Sequence, residues 1–261
     1  MKRRCTSSRR FRRCLVLCVL LSVALVTVFY PKAAPPPTET PTLPDSLSAF
    51  AKEHHLPVEL WPASLLSLYE RHPEAASFVL HYPLKKDLPV SVDLRELLPC
   101  EQVPLLLQWD ERWGYHSYAG ELFGLSGCGP TCLSMVCLYL LQDATYTPAY
   151  IAEFAEQHGY SVDGNGSAWA LIAEGGEQLG LEVTEIPLDD DRILRNLEAG
   201  NPIICIMGEG DFTSDGHFIV MTAVEDGKIR VNDPNSVKRS EQLWELSAIR
   251  SQIRNLWVCR A

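Results

Sequence analysis

No acidic residue occurs before Glu39, no charge of either sign interrupts residues 14–30, and the 261 residues contain neither a nucleotide-binding motif nor an internal repeat. The missing nucleotide motif excludes a self-contained ATP-driven transporter. The missing repeat excludes a solenoid or propeller. Basic residues are scarce beyond the N-terminus: eight of 23 lie in the first 32 positions, so residues 33–261 carry 15 basic against 33 acidic groups, a net of −18. A body of that sign repels nucleic acid and anionic lipid, which excludes a nucleic-acid partner and leaves solubility as the plain role of the charge. The nine cysteines lack the spacing of a disulfide-dense small scaffold. Cys100 and Cys259 flank the main body and form a candidate pair. With 46% hydrophobic and 21% charged residues, the composition is that of a globular protein, long enough for one full domain plus extensions.

What is present begins at the N-terminus. Residues 1–13 hold seven basic groups and read as a cytoplasmic tail; residues 14–30 (CLVLCVLLSVALVTVFY) are seventeen uncharged residues, the short end of a membrane span. An uncleaved anchor places the rest of the chain outside the membrane. The rival is a cleaved signal peptide and a secreted product, for which Lys32-Ala33-Ala34 offers a poor cleavage site. Residues 31–45, rich in Pro and Thr, suit an extended spacer. Residues 46–100 read as a helical preface, with helix-like spacing at 46–51 and 63–69.

Residues 101–261 form the main domain. Gly127-Cys128-Gly129-Pro130 opens a helix whose continuation, TCLSMVCLYLL, is apolar nearly all round and therefore buried. Further helices are expected near 148–158, 169–179 and 191–198. Strand-like runs follow at 202–207, 217–224, 228–232 and 255–260, with a short one at 103–109. Helices first and strands second predict an α+β domain with helices on one side of an antiparallel sheet.

Cys128 stands at a helix N-terminus, where exposed N–H groups and the dipole favour a thiolate. A Cys in that position also suits a core. His217 starts a core strand after a glycine-rich loop, and a structural His would sit there too. The hairpin between 217–224 and 228–232 decides whether His217 gains a partner. A three-residue loop, Glu225-Asp226-Gly227, sets Val224 opposite Lys228 and brings Asp233 diagonally to His217 on one face. A two-residue Asp-Gly loop would put the two on opposite faces. The three-residue loop is the expectation, with Asp233 fixing the imidazole tautomer and Asn232 turned away. Gln108 carries an amide able to donate to an oxyanion. Gly127, Trp169 and Phe212 are candidate substrate contacts, although a packing role suits each of them.

The segments VPLLLQWDERWGY (103–115), SGCGPTCLSMV (126–136), GHFIVM (216–221) and VNDPNS (231–236) resemble, in order, the peptidase C39-like family of papain-like cysteine peptidases. That resemblance implies a helical lobe bearing the Cys packed on an antiparallel sheet bearing His and Asp. It implies Cys128 as nucleophile, His217 as base, Asp233 as orienting acid and Gln108 as oxyanion residue. It implies hydrolysis of a peptide or protein substrate, such as one of the cell envelope, without cofactor or metal. One departure is that residues 121–124 (ELFG) lack the Gln that bacteriocin-leader peptidases carry before their Cys. Two other readings stand beside the enzyme: a catalytically silent binding module of the same fold, and a metal site using Cys128, Cys132 and His217.

Overall fold

The computed structural model describes residues 43–261. The basic tail, the apolar segment and nearly all of the Pro-rich stretch lie outside the described residues, and with them the expectation of an anchor or signal. Among the described residues, no helix is long and apolar enough to cross a membrane.

Three helices come first: α1 (Leu43–Glu53), α2 (Ala63–Arg71) and α3 (Ala76–Lys85). The spacing of apolar residues anticipates the first two. It does not anticipate α3, because Pro83 lies inside that helix, where proline removes a hydrogen bond. Leu65, Leu68, Phe78 and Val79 form a core of their own with Trp61 and, from the main domain, Tyr115. Phe78 stacks on Tyr115 with ring centroids 4.5 Å apart, and Tyr115 Oη donates to the Phe78 carbonyl (2.8 Å). Phe78 also lies so close over Gly114 and Gly124 that a Cβ at either would meet its ring at 2.7 and 2.5 Å.

Helix α4 (Cys128–Leu141) is buried from Gly129 to Leu138, as its unbroken apolar sequence requires. Helix α5 (Pro148–Gln157) is capped by Thr147, whose hydroxyl accepts from the Tyr150 N–H (3.1 Å). The single helix expected over 169–179 is instead a π-helical turn (Leu171–Gly175) running into a short α-helical turn (Gly176–Gln178). Two consecutive glycines make that wider turn tolerable and let the backbone press against Val183, where a Cβ on Gly176 would meet the side chain at 2.8 Å.

Beyond these, and apart from two short two-stranded sheets and a few single turns, the chain forms β1 (Glu182–Glu185), α6 (Asp190–Glu198), β2 (Ile203–Met207), β3 (His217–Glu225), β4 (Lys228–Asn232), α7 (Val237–Glu241), β5 (Leu243–Trp244), α8 (Leu246–Ile249) and β6 (Ile253–Arg260). The strands form one antiparallel sheet in the order β1-β6-β2-β3-β4-β5. Both faces are covered, which corrects the expectation of helices on one side only. Ile204, Ile206, Phe218 and Val220 pack with Leu133, Val136 and Cys137 of α4, while Ile203, Cys205, Ile219 and Met221 pack with Ile193 and Leu197 of α6 and with Ile249. That is why β2 is apolar at every position and does not alternate. The architecture is α+β, with a buried Cys-bearing helix on an antiparallel sheet.

Residues 103–109 form no strand. Side chains and single backbone contacts fix them instead: Asn232 Nδ2 donates to the carbonyls of Val103 (3.0 Å) and Pro104 (3.1 Å), and Gln108 N–H donates to the Pro234 carbonyl (2.7 Å). Cys100 and Cys259 are free thiols, not a pair. The Cys100 thiol donates to the Leu97 carbonyl, and Cys259 is buried in the core with Cys137.

The hairpin differs from expectation in an instructive way. Glu225 pairs with Lys228, so the loop is the two-residue Asp226-Gly227, both with positive φ (51° and 76°), as a type I′ turn demands. That loop alone would put His217 and Asp233 on opposite faces. A β-bulge between Met221 and Ala223 inserts Thr222 and moves the pairing by one residue, to Met221–Val231 and Val220–Asn232. The register beside His217 is therefore the one expected, reached by a different device.

Candidate active site

The first residue of α4 meets the first residue of β3. Cys128 is half-buried at a cleft floor, and its thiol lies beside His217 and the backbone N–H groups of Phe218 and Gly129. His217 Nε2–H donates to Asp233 Oδ1 at 2.8 Å, which leaves Nδ1 for the sulfur. Asp233 is fully buried at the end of β4. Its Oδ1 also accepts from Asn235 N–H (2.8 Å), and its Oδ2 accepts from Arg239 Nε. Arg239 reaches it from α7, a short helix capped by Ser236, whose hydroxyl accepts from the Arg239 N–H (3.1 Å).

Charges in this row sustain one another. Burial lowers the His217 pKa, but the Asp233 carboxylate and the Cys128 sulfur raise it, to about 10. Burial would raise the Cys128 thiol, yet the hydrogen bond and charge of His217 and the two N–H groups hold it below its usual value. Burial would likewise raise Asp233, but His217 and Arg239 bring it to about 2. The favoured state is thiolate, imidazolium and carboxylate in line, with the guanidinium behind. Cys132, one turn along α4, behaves differently: it is fully buried among apolar side chains, and burial drives its pKa well above 9. It packs in the core as a small apolar side chain.

Gln108 reaches the cleft wall beside Cys128 and is 2% exposed. Its Nε2 donates to the Gly124 carbonyl at 2.9 Å, which leaves one amide N–H, and its Oε1 is buried with no hydrogen-bond partner among the described residues. Gly127 faces away from the cleft. It packs under the Phe123 ring, where a Cβ would meet ring atoms at 2.5 Å. Trp169 is 48% exposed and stands edge-on to Trp257. Phe212 is buried against Trp244 and forms part of a cleft wall.

Two hollows of about 580 and 490 Å³ meet at Cys128. One lies between α2, the 210–217 loop and Arg239; the other lies beside Trp169 and the 164–167 turn. An extended chain crossing Cys128 would occupy both. Sequence reasoning missed two contributors. Arg239 was signalled only by Ser236, a capping residue just after Pro234. The α2 residues at the cleft, Ser64, Ser67 and Arg71, and His72 just past the helix end, were signalled only by their polarity.

The model of a family described as "Peptidase_C39 like family" matches residues 100–259. Among solved structures, the chain is 19% identical to the peptidase domain of Streptococcus ComA, described as a bi-functional ABC transporter involved in a quorum sensing pathway; the match covers 60% of this chain and 96% of that one, with a TM-score of 0.42. A candidate C39-like peptidase from Bacillus anthracis is 15% identical over 65% of this chain and 98% of its own, with a TM-score of 0.36. No curated protein matches the chain significantly.

Proposed function

The chain belongs to the peptidase C39-like family, and from that premise we propose that it is a thiol hydrolase of peptide or amide bonds, using Cys128, His217 and Asp233. The observation that carries the reading is the meeting of Cys128 and His217 in one hollow, with His217 hydrogen-bonded to a fully buried Asp233. The Cys128 thiolate attacks the carbonyl carbon. The oxyanion is held by the Cys128 N–H at the start of α4 and by the remaining N–H of Gln108. His217 gives its proton to the leaving amine, the acyl group rests on sulfur as a thioester, and water activated by His217 releases it. Asp233 keeps the ring in the right tautomer and orientation. Residues 14–30 anchor the protein in the cell membrane with the catalytic domain outside, or direct it to secretion, and its substrates are peptides or proteins of that compartment.

The test is alkylation of the full chain with iodoacetamide between pH 5 and 10. Cys100 serves as an internal control, since it is also half-buried but burial raises its pKa. Cys128 is expected to label faster than Cys100 at every pH and to keep its rate at pH values well below 9, where the Cys100 rate falls about tenfold per unit. Cys128→Ala removes the fast site. Peptide hydrolysis should decline as pH rises through about 10, where His217 loses the proton it must donate. Equal labelling of the two thiols at pH 6 would end the proposal.

One observation favours a second reading, a catalytically silent binding module: Gln108 Nε2 is already engaged by Gly124. That reading predicts fast labelling of Cys128 with no hydrolysis of any peptide.

A further inference from the structure

The family match begins at residue 100, yet one bank of the cleft lies before it. Helix α2 is amphipathic in a directed way. Leu65 and Leu68 go into the core shared with Tyr115, while Ser64, Ser67 and Arg71, spaced i, i+3 and i+7, share one face that lines the hollow ending at Cys128.

The electrostatics of that bank differ from those of the rest of the body. Arg71 Nε donates to the Ser67 carbonyl (3.1 Å), and among the described residues no carboxylate lies within ion-pair distance of its guanidinium. Arg239 lines the same hollow, and its Nη2 has no hydrogen-bond partner among the described residues. His72 sits between them, and burial together with the two arginines lowers its pKa to about 4, so it stays neutral. The acidic groups nearby have other contacts. Asp233 is shared by His217 and Arg239, Asp211 accepts from Gln252 Nε2 (2.6 Å), Glu74 accepts from the Lys238 N–H (3.1 Å), and Glu121, a carboxylate like Asp211, lines the same hollow. A net charge of −18 over residues 33–261 opposes anionic ligands in general, so the Arg71 guanidinium, with no carboxylate in ion-pair contact among the described residues, is a local exception on this bank.

We propose that α2 is a substrate-binding wall and that Arg71, aided by the Ser64 and Ser67 hydroxyls, binds a carboxylate of the substrate on this side of Cys128, so that the preferred substrates are acidic peptides. This rests on the thiol-hydrolase reading of Cys128. The carboxylate can come from an Asp or Glu side chain or from a chain terminus. A guanidinium offers both the same forked contact.

The test measures how randomised hexapeptide pools slow iodoacetamide labelling of Cys128 in the full chain. One pool has a fixed internal Glu and an amidated end, one has Gln and an amidated end, and one has Gln and a free C-terminal carboxylate. One of the two carboxylate pools is expected to halve the labelling rate at a concentration about tenfold lower than the neutral pool. Which pool does so identifies the source. Arg71→Glu should abolish that advantage, and Arg71→Lys should retain part of it. Equal protection by all three pools, no protection by any, or an advantage that survives Arg71→Glu would overturn the inference while leaving the thiol reading intact. A wild-type Cys128 that does not label would instead overturn the thiol reading itself.

Discussion

At the scale of single residues, the site is a row of charges, each stabilised by the next, and Asp233 is its fixed point. Replacing it by Asn removes the group that holds His217 protonated and leaves the Arg239 guanidinium without its anion. Asp233→Asn should lower the Cys128 alkylation rate at pH 6 by at least about tenfold and destabilise the fold by about 3–5 kcal/mol, the usual effect of stranding one partner of a buried pair; alkylation kinetics and urea unfolding measure the two. The same residue sets the acid limit. Its folded pKa, about 2, lies below the ordinary 3.8, so its contribution, roughly 2 kcal/mol, is complete above pH 4 and is lost as pH falls through about 2. Acid unfolding in a Cys128→Ala background should show that component, and adding Asp233→Asn should remove it. Much of this was legible in sequence. Cys128 before a buried apolar run, His217 after a glycine loop and Asp233 before proline are candidates by local context, where a packing or turn role suits each as well; the order of the motifs, through the family resemblance, singles them out. Arg239 does not, because an arginine on a short helix acquires its role only when that helix folds back over the end of β4. Gln108 was legible as an amide near the site. Its bond to Gly124 was not, since a contact across sixteen residues of irregular chain has no periodic trace.

At the scale of elements, the helix and strands around the site were legible because their patterns agree with their burial. Helix α4 is apolar on every side and is buried on every side; β2 is an unbroken apolar run and is covered on both faces. The hairpin was legible in outcome but not in mechanism. Asp226-Gly227 is a strong two-residue turn, and nothing in the composition around Thr222 announces an extra residue in the strand. Thr222 is the residue that stands outside the pairing between the turn and His217. Deleting Thr222 should therefore remove the bulge while keeping the pairs Met221–Val231 and Val220–Asn232, so that His217 stays on the face of Asp233 and Cys128 keeps most of its alkylation rate at pH 6. One alanine inserted between Phe218 and Ile219 should instead turn His217 off that face and reduce the rate to the level of Asp233→Asn or below. Loss with the insertion and not with the deletion would identify register as what the site requires; an insertion that keeps full reactivity would overturn that account.

At the scale of the whole molecule, the helical preface is built into the main domain by Phe78, which covers Gly114 and Gly124, while the Gly124 carbonyl holds Gln108. Phe78→Ala should cost about 3–5 kcal/mol in urea unfolding and weaken the advantage of acidic peptide pools, because α2 loses its seat. Gly124→Ala, which forces a methyl group into the Phe78 ring, should cost about 1–3 kcal/mol by overpacking. The preface was visible in the sequence as helices, but its destination was not. Helical spacing shows which residues turn inward, whereas the surface they reach depends on pairings between residues 63–72 and 210–239 that local pattern does not encode.

The placement of α2 bears on where this protein can be cut. A fragment spanning only residues 100–259 would keep the reactive sulfur and its proton partner yet have a channel open along one flank, with Tyr115, Leu122 and Leu125 newly bared to water. Such a truncated product would be prone to clump, and any selectivity it displayed would belong to the remnant and not to the protein in the cell.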